Sequence, residues 1–564
     1  MKTIPAPITV AFFLLLPSLS SAQPDLRWVR FQDGYGKDDF IEDIAVDSGG
    51  NVYVAGWTTN ASNNSDYYMA KYDPAGNRRW YHLYDNGADD AARSVAVKGA
   101  AVYVTGRSRS GSGFGAHDDI VSFVLDTAGT IVPDNSNALR FDFGGSHRDD
   151  DAVEIIPAPD PAQPALFFSA VHADTGIAGI FYVAGTHKDT LSGSDDLVVL
   201  MYDGSGFLGA ASHHLAGDEV IKGMALGGDD AVYIGATSYV GGGSPSYRMV
   251  TVKFDRDLAF GWEKIYANVD LDFLLGIAAD ASGVYVTGTS YSACGDPDVA
   301  VIRYAPDGTQ GWVTRAYDCA SGQVGSGGIL VDDNTVYAAG YHANGSQYFG
   351  IDKSDGTIRY QGDSPVQSAW VSIVKSYDGN IYFGGHKLFY DLPYDGTHMV
   401  KFDGGGTSQW DVVYDGSGSG QANTISKMVS GGSDSSIVLV GSVTVGGQQD
   451  MMILKYGVGE SMLTGVGDEA GSQAIVPGSY ELLQNFPNPF NSSTTIKFRL
   501  PAEARVSLKI FDVLGREAVT VLEGRDGPGE REVVLRADDL SSGIYFCRFS
   551  SDGHTQTRKL VLMR

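Results

Sequence analysis

Apolar residues come in short bursts along most of this chain, each closed off by Gly, Asp, Asn or Pro, and one burst occurs eight times. It reads Val52-Tyr53-Val54-Ala55-Gly56, with counterparts beginning at Val102, Phe181, Val232, Val284, Val336, Ile381 and, in degraded form, Ile437. Runs this short, rich in β-branched and aromatic residues and bounded by turn formers, predict strands. A fixed period of tens of residues predicts a repeat architecture.

One unit carries four such runs, Ile44 to Val46, Val52 to Ala55, Tyr68 to Tyr72 and Trp80 to Tyr84. The turns between them are Asp47-Ser48-Gly49-Gly50-Asn51, a polar loop through Asn60 to Asp66, and Asp73-Pro74-Ala75-Gly76-Asn77. Equivalent positions (56, 106, 185, 236, 288, 340, 385, 441) lie 45 to 56 residues apart, except one step of 79 that holds a Pro/Ala-rich insertion, Pro157 to Gly179. Four antiparallel strands at this period describe a β-propeller blade. The ends support a count of eight. The last unit stops after its third strand, Met451 to Tyr456, while Arg27 to Phe31 matches the fourth-strand sequence Arg79 to Leu83. The N-terminal strand is therefore expected to complete the last blade and close the ring, which removes exposed sheet edges. Trp28, Trp80, Trp262, Trp312 and Trp410 share one fourth-strand position and are expected to pack between neighbouring blades. Ala45, Ala96, Ala225 and Ala278 recur in first strands, as crowding near an axis requires.

The runs Asp43 to Gly56 and Ala70 to Gly76 resemble the secreted bacterial β-propeller repeat abbreviated SBBP. The resemblance covers residues 27 to 456, implies fold and no defined activity, and departs from the count of eight, because that family's name implies seven blades.

Charge narrows the choice of partners. The 564 residues carry a net charge of −28, which excludes the basic footprint that nucleic acid binding needs. Residues 479–564 hold 12 basic and 11 acidic side chains, and residues 23–478 hold 27 basic and 57 acidic ones, a net −30. Lys2, the apolar stretch Ile8 to Leu16 and Ser20-Ser21-Ala22 predict a cleaved export signal over residues 1–22. Its apolar run is too short for a mature membrane helix, so no span is expected after signal removal.

Four segments follow: signal 1–22, propeller 23–456, a Gly/Ser/Glu-rich linker 457–478, and a tail 479–564. Strict alternation over Thr495 to Leu500, followed by further short runs, predicts a small Ig-like β-sandwich for the tail. The tail also carries, in order, Gln484 to Asn491 (with Pro487, Asn488 and Pro489), Ser493 to Ile496, Phe511 to Glu517 (with Asp512, Gly515 and Arg516), Ser542 to Tyr545 (with Gly543 and Tyr545), and Arg558 to Val561 (with Lys559). On these motifs it resembles the type A sorting domains of type IX secretion. Ser492 stands where the family usually has Pro. The resemblance implies the type IX secretion machinery as partner and the outside of a Gram-negative cell as destination, with the cargo released or surface-attached.

Of three cysteines, Cys294 and Cys319 fall in loops of the fifth unit expected on one face, which suits a disulfide, and Cys547 sits inside an apolar strand as a buried thiol. Acidic residues recur before first strands (Asp38, Asp39; Asp89, Asp90; Asp149, Asp150; Asp270, Asp272) and before third strands (Asp118, Asp119; Asp195, Asp196; Asp296, Asp298). Both sets begin strands running the same way and so line one face. Three readings stay open: turn formers that keep the surface soluble, carboxylate rings that could hold Ca²⁺, or an acidic face for a cationic partner. The sequence contains no HExxH, CxxC, GxSxG or P-loop motif, and His213-His214 is its only histidine pair. The first functional reading is a secreted or surface-displayed binding module for a glycan or protein ligand. The alternative is an extracellular polysaccharide hydrolase or lyase using carboxylates such as Asp119, Asp150 or Asp196, which would have to converge to within about 5–10 Å.

Overall fold

The protein is described by a computed structural model over residues 25–562, apart from 158–179, 459–480, 483–492 and shorter stretches, the longer of them 33–36, 111–116, 132–138, 142–149, 189–193, 317–323, 388–395 and 415–422. The signal segment and the Pro/Ala-rich insertion lie outside the described residues. The chain divides into two compact units, Met1–Met462 and Leu463–Arg564.

Within the first unit the described residues form eight four-stranded antiparallel sheets, each built from consecutive strands but one. Sheet 1 runs Asp39–Val46, Val52–Thr59, Ser65–Tyr72 and Arg78–Tyr84. Sheets 2 to 7 span 90–141, 150–213, 218–266, 272–316, 324–364 and 368–414 in the same order. Sheet 8 takes its first three strands from 423–457 and its fourth from Asp25–Gln32, which pairs antiparallel with Gln448–Gly457. The first strands touch one another in a closed cycle from sheet 1 through sheet 8 and back. A chain end is thus used to close the series, and the last sheet keeps no unpaired outer strand of its own.

Burial explains the strand sequences. The recurrent second strand is apolar on both faces because each sheet is packed on two sides: Val52, Tyr53, Val54 and Ala55 are all buried, as are Val284, Tyr285 and Val286. Its tyrosine pairs with the fourth-strand tryptophan of the same sheet. Ring centroids lie 6.1 Å apart for Tyr53–Trp80, 5.8 Å for Tyr233–Trp262, 6.0 Å for Tyr285–Trp312 and 5.7 Å for Tyr382–Trp410.

Four fourth-strand tryptophans also reach the next sheet. Trp28 Nε1 donates to Pro74 O (2.9 Å), Trp80 to Thr127 O (3.2 Å), Trp262 to Pro306 O (3.0 Å) and Trp312 to Lys353 O (3.1 Å). The acceptor always lies in the turn between the third and fourth strands of the following sheet. That turn ends on a glycine with positive φ, such as Gly76 (79°) and Gly356 (79°). A Cβ there would come within 2.7 Å of Trp28 and Trp312 respectively. Glycine is therefore required twice, by the backbone conformation and by the ring lying on it.

The second unit has two sheets sharing one core. Glu481–Leu482, Ser493–Leu500 and Gly529–Arg536 make one, and Glu517–Asp526, Ala504–Phe511, Gly543–Ser551 and His554–Leu562 the other. Inward residues alternate along the strands, including Ile496 and Phe498, Val506, Leu508 and Ile510, and Cys547 and Phe549. Cys547 is a free buried thiol, its pKa pushed up to about 12 by burial.

Candidate functional site

The acidic positions fall into two classes that the sequence does not separate. Those nearer the loops stay near solvent: Asp38 accepts Gln449 N (2.9 Å), Asp89 accepts Ser65 N (3.1 Å), Asp195 pairs with Lys188 (3.7 Å), and Asp296 is half-buried. Those one or two residues further into the strand turn inward. Asp39, Asp90, Asp119, Asp196, Asp272 and Asp298 are all buried, and so is Asp118, which pairs with Arg107 (3.0 Å). Asp150 opens the first strand of sheet 3. Asp149, Asp270, Cys294, Cys319, Pro487, Asn488, Pro489 and Gly515 lie outside the described residues.

Strand register gathers the inward acids into rungs. Directly opposed residues share a face, so Asp39–Thr58–Asp66, Asp90–Ser108–Asp119 and Asp272–Ser290–Asp298 each run across three strands of one sheet. Sheet 4 carries the variant Glu219–Ser238–Arg248. Local donors satisfy most of these carboxylates. Asp39 accepts Thr58 Oγ1 (2.5 Å), Asp66 accepts Asn60 Nδ2 (2.6 Å), and Asp90 accepts Asn86 N (2.6 Å). Asp119 pairs with Arg140 (2.5 Å), Asp196 with His214 (2.8 Å), and Glu219 accepts Ser238 Oγ (3.0 Å). Burial pushes the Asp66 carboxyl up to about 6 and that of Glu219 up to about 8, with Asp85 adding to the first and Asp196 to the second.

A second constellation has no counterpart in the sequence reading. Nearly every first strand carries a bulge, and the residue just after it reaches towards the neighbouring sheet. These residues are Asp43, Ser94, Glu154, Gly223, Gly276, Ser372 and Lys427, in sheets 1 to 5, 7 and 8. Lys427 Nζ lies 2.7 Å from Asp43 Oδ1, across the seam that the N-terminal strand closes. Asp43 Oδ2 accepts Ser94 Oγ (2.6 Å) and Val95 N (2.9 Å), and Glu154 Oε2 accepts Met224 N (2.6 Å). Ser372 Oγ donates to Met428 O (3.1 Å). Burial alone would push the Lys427 ammonium towards its neutral form. The Asp43 and Glu154 carboxylates outweigh burial and hold its pKa above the ordinary lysine value. Its side chain remains 39% accessible. On the glycine side the strands meet backbone to backbone: a Cβ on Gly276 would lie 2.1 Å from Gly327 O. The sequence signal is the residue before each first-strand apolar pair (Asp43-Ile44, Ser94-Val95, Glu154-Ile155, Lys427-Met428), a column that changes chemistry from unit to unit.

Chemically, these groups are occupied in holding strands. Asp43 spends both oxygens on four donors, and Asp119 and Asp196 are tied to Arg140 and His214. Among the described residues no three His, Cys, Asp or Glu side chains converge on a metal-sized site. In the second unit Asp512 caps a turn, accepting Arg516 N (2.9 Å) and Arg516 Nε (2.7 Å). Gly543 opens a strand, Tyr545 donates to Ser541 O (2.8 Å), and Lys559 is exposed.

Comparison with known proteins agrees with this division. Residues 484–563 match the secretion system C-terminal sorting domain. Residues 28–62 match the β-propeller repeat SBBP, and residues 50–78 a β-propeller domain of unknown function (DUF5122). No curated protein matches the chain. Among solved structures it is similar to the Dos1 propeller (11% identity, TM-score 0.43, covering 77% of this chain and 96% of that one). It is also similar to the β-propeller domain of the Trilobed protease from Pyrococcus furiosus (9%, 0.35, 67% and 97%) and to a periplasmic gluconolactonase from Pseudomonas aeruginosa (14%, 0.32, 62% and 99%).

Proposed function

We propose that this chain, whose β-propeller repeats and sorting tail mark it for export by type IX secretion to the cell surface or the extracellular space, acts there, outside a Gram-negative cell, as a binding module rather than an enzyme. In this reading residues 23–456 are an eight-bladed ring, 457–478 a linker, and 479–564 an Ig-like sandwich that addresses the secretion machinery. The mature protein presents the outer strands and loops of the ring to a glycan or protein ligand.

The observation that carries this reading is the set of large apolar side chains left on outermost strands. Tyr81 is 50% exposed, Phe207 49% and Phe260 51%, with Leu83, Leu208 and Ile265 exposed beside them in sequence. Apolar surface held out on a rigid scaffold is a recognition surface where it clusters, and aromatic rings supply it at low entropic cost.

The test is a binding screen of the mature chain against neutral and anionic polysaccharides and purified surface proteins. The double variant Tyr81→Ser/Leu83→Ser and the single variant Phe260→Ser are compared with wild type. The expected result is a ligand whose affinity falls by about tenfold or more in a variant whose unfolding midpoint is unchanged. Release of polysaccharide fragments that Asp119→Asn or Asp196→Asn abolishes would contradict the reading and favour the hydrolase or lyase.

A further inference from the structure

Where the N-terminal strand closes against sheet 1, a cleft of about 310 Å³ carries two arginines that the repeat does not supply. Arg30, Gln32, Tyr72, Asn77 and Arg78 are among the residues lining it. Arg78 opens the fourth strand of sheet 1 opposite Tyr72. At the same register the other seven sheets hold apolar or neutral residues, among them Ile131, Phe207, Phe260, Ile358 and Ser408. Arg30 follows its tryptophan by two residues, a place held elsewhere by His82, Thr314 and Val412. Its Nε donates to Gly76 O (2.5 Å), as His82 Nε2 does to Gly129 O (2.7 Å) and the Thr314 hydroxyl to Gly356 O. A threonine suffices for that bond between sheets, so the positive charge of Arg30 is surplus to it.

Among the described residues neither guanidinium is paired with a carboxylate. Arg30 donates otherwise to Val29 O (2.7 Å) and Ala75 O (3.2 Å), and Arg78 Nη1 donates to Gln32 Oε1 (2.5 Å). The acid of the adjoining turn, Asp73, accepts from Ala75 and Asn77 and lies 3.5 Å from Arg79. Elsewhere Arg93, Arg107, Arg140 and Arg359 all sit on carboxylates. Residues 23–478 carry a net −30, so two unneutralised arginines at one cleft are a local reversal of sign. Arg78 also lies 4.3 Å from the ring centroid of Tyr81, which is 50% exposed.

We propose that this cleft binds the anionic groups, carboxylate or sulfate, of an acidic polysaccharide. The proposal rests on the reading of the chain as a binding module and names that module's ligand class. Guanidinium forks match the paired oxygens of such groups, and the Tyr81 ring beside them supplies apolar contact for the sugar. The acidic remainder of the unit repels a polyanion, which confines binding to the one cleft that attracts it.

The test is titration calorimetry of the mature full chain with polygalacturonate, dextran sulfate and neutral dextran. At least one polyanion is expected to bind more tightly than dextran, and less tightly as ionic strength rises. Which of the two binds separates carboxylate from sulfate. Arg78→Gln, at an exposed position, is expected to weaken binding by about tenfold with an unchanged unfolding midpoint. Arg30→Thr places at the closing junction the residue that already bridges sheets 5 and 6, and weakens binding likewise. Arg79→Gln removes the same charge one residue away and is expected to leave affinity within about twofold. Failure of both polyanions to bind would overturn the proposal. So would binding that survives Arg78→Gln, or that falls equally in Arg79→Gln. A neutral glycan or a protein whose binding depends on Tyr81 and Leu83 but not on Arg78 would overturn it too, while leaving the binding-module reading in place.

Discussion

The outer turns and the inner faces of the propeller unit solve the same problem in opposite ways. At the outer turns one device is repeated: a fourth-strand tryptophan donates to a turn carbonyl of the next sheet and lies on that turn's glycine. At the inner faces equivalent positions carry Asp43, Ser94, Glu154, Gly223, Gly276, Ser372 and Lys427, and each contact between sheets is made differently. Repetition suffices where every junction has the same geometry. Where several first strands converge and the series must close, individual side chains carry the junctions. Uniform contacts are interchangeable in principle, and individual ones are not.

Asp43→Ala tests that difference most severely. It leaves the Lys427 ammonium, the Ser94 hydroxyl and the Val95 N–H without their acceptor. A cost of about 3 kcal/mol in urea unfolding is expected, the low end of the range for a buried pair because Lys427 keeps some access to water. Trp312→Ala should cost about 3 kcal/mol by opening a cavity at a uniform junction, and Trp262→Ala should cost the same within about 1 kcal/mol. A much larger spread between those two would break the claim that the outer junctions are equivalent.

Glu219 offers a pH test of the inner rungs. Burial raises its folded pKa to about 8, above the unfolded value of 4.5. The folded protein therefore holds the proton more tightly, so stability falls as pH rises between those values, and the loss is complete above the upper one. Glu219→Gln is expected to flatten this slope, with a gain at pH 9 of about 2 kcal/mol over its effect at pH 4. An unchanged slope would place the carboxylate in water. The smallest effect belongs to Gly356→Ala, about 1–2 kcal/mol from a positive φ and contact with Trp312.

The contrast also explains what could be read beforehand. The turn Asp73-Pro74-Ala75-Gly76 and the tryptophan position are legible because they recur, and the orphan strand Arg27 to Phe31 is legible because it copies Arg79 to Leu83. The sorting tail is legible from motifs that turn geometry demands, such as Asp512 capping the turn to Arg516. Asp39 and Asp38 look alike in sequence, yet one accepts a buried threonine hydroxyl and the other faces solvent. Strand alternation separates them only once the register is known. Lys427, Asp43 and Glu154 lie more than 100 residues apart, in a column that precedes each first-strand apolar pair but changes chemistry from unit to unit, so recurrence does not single it out.

The most direct measurement is a double-mutant cycle between Asp43 and Lys427, using Asp43→Asn and Lys427→Met, with unfolding free energies at neutral pH. A coupling energy of about 1–2 kcal/mol is expected, because the pair joins sheets 8 and 1 across the closing seam. Additivity within about 0.3 kcal/mol would contradict the account, since the individual inner contacts would then contribute nothing to closure.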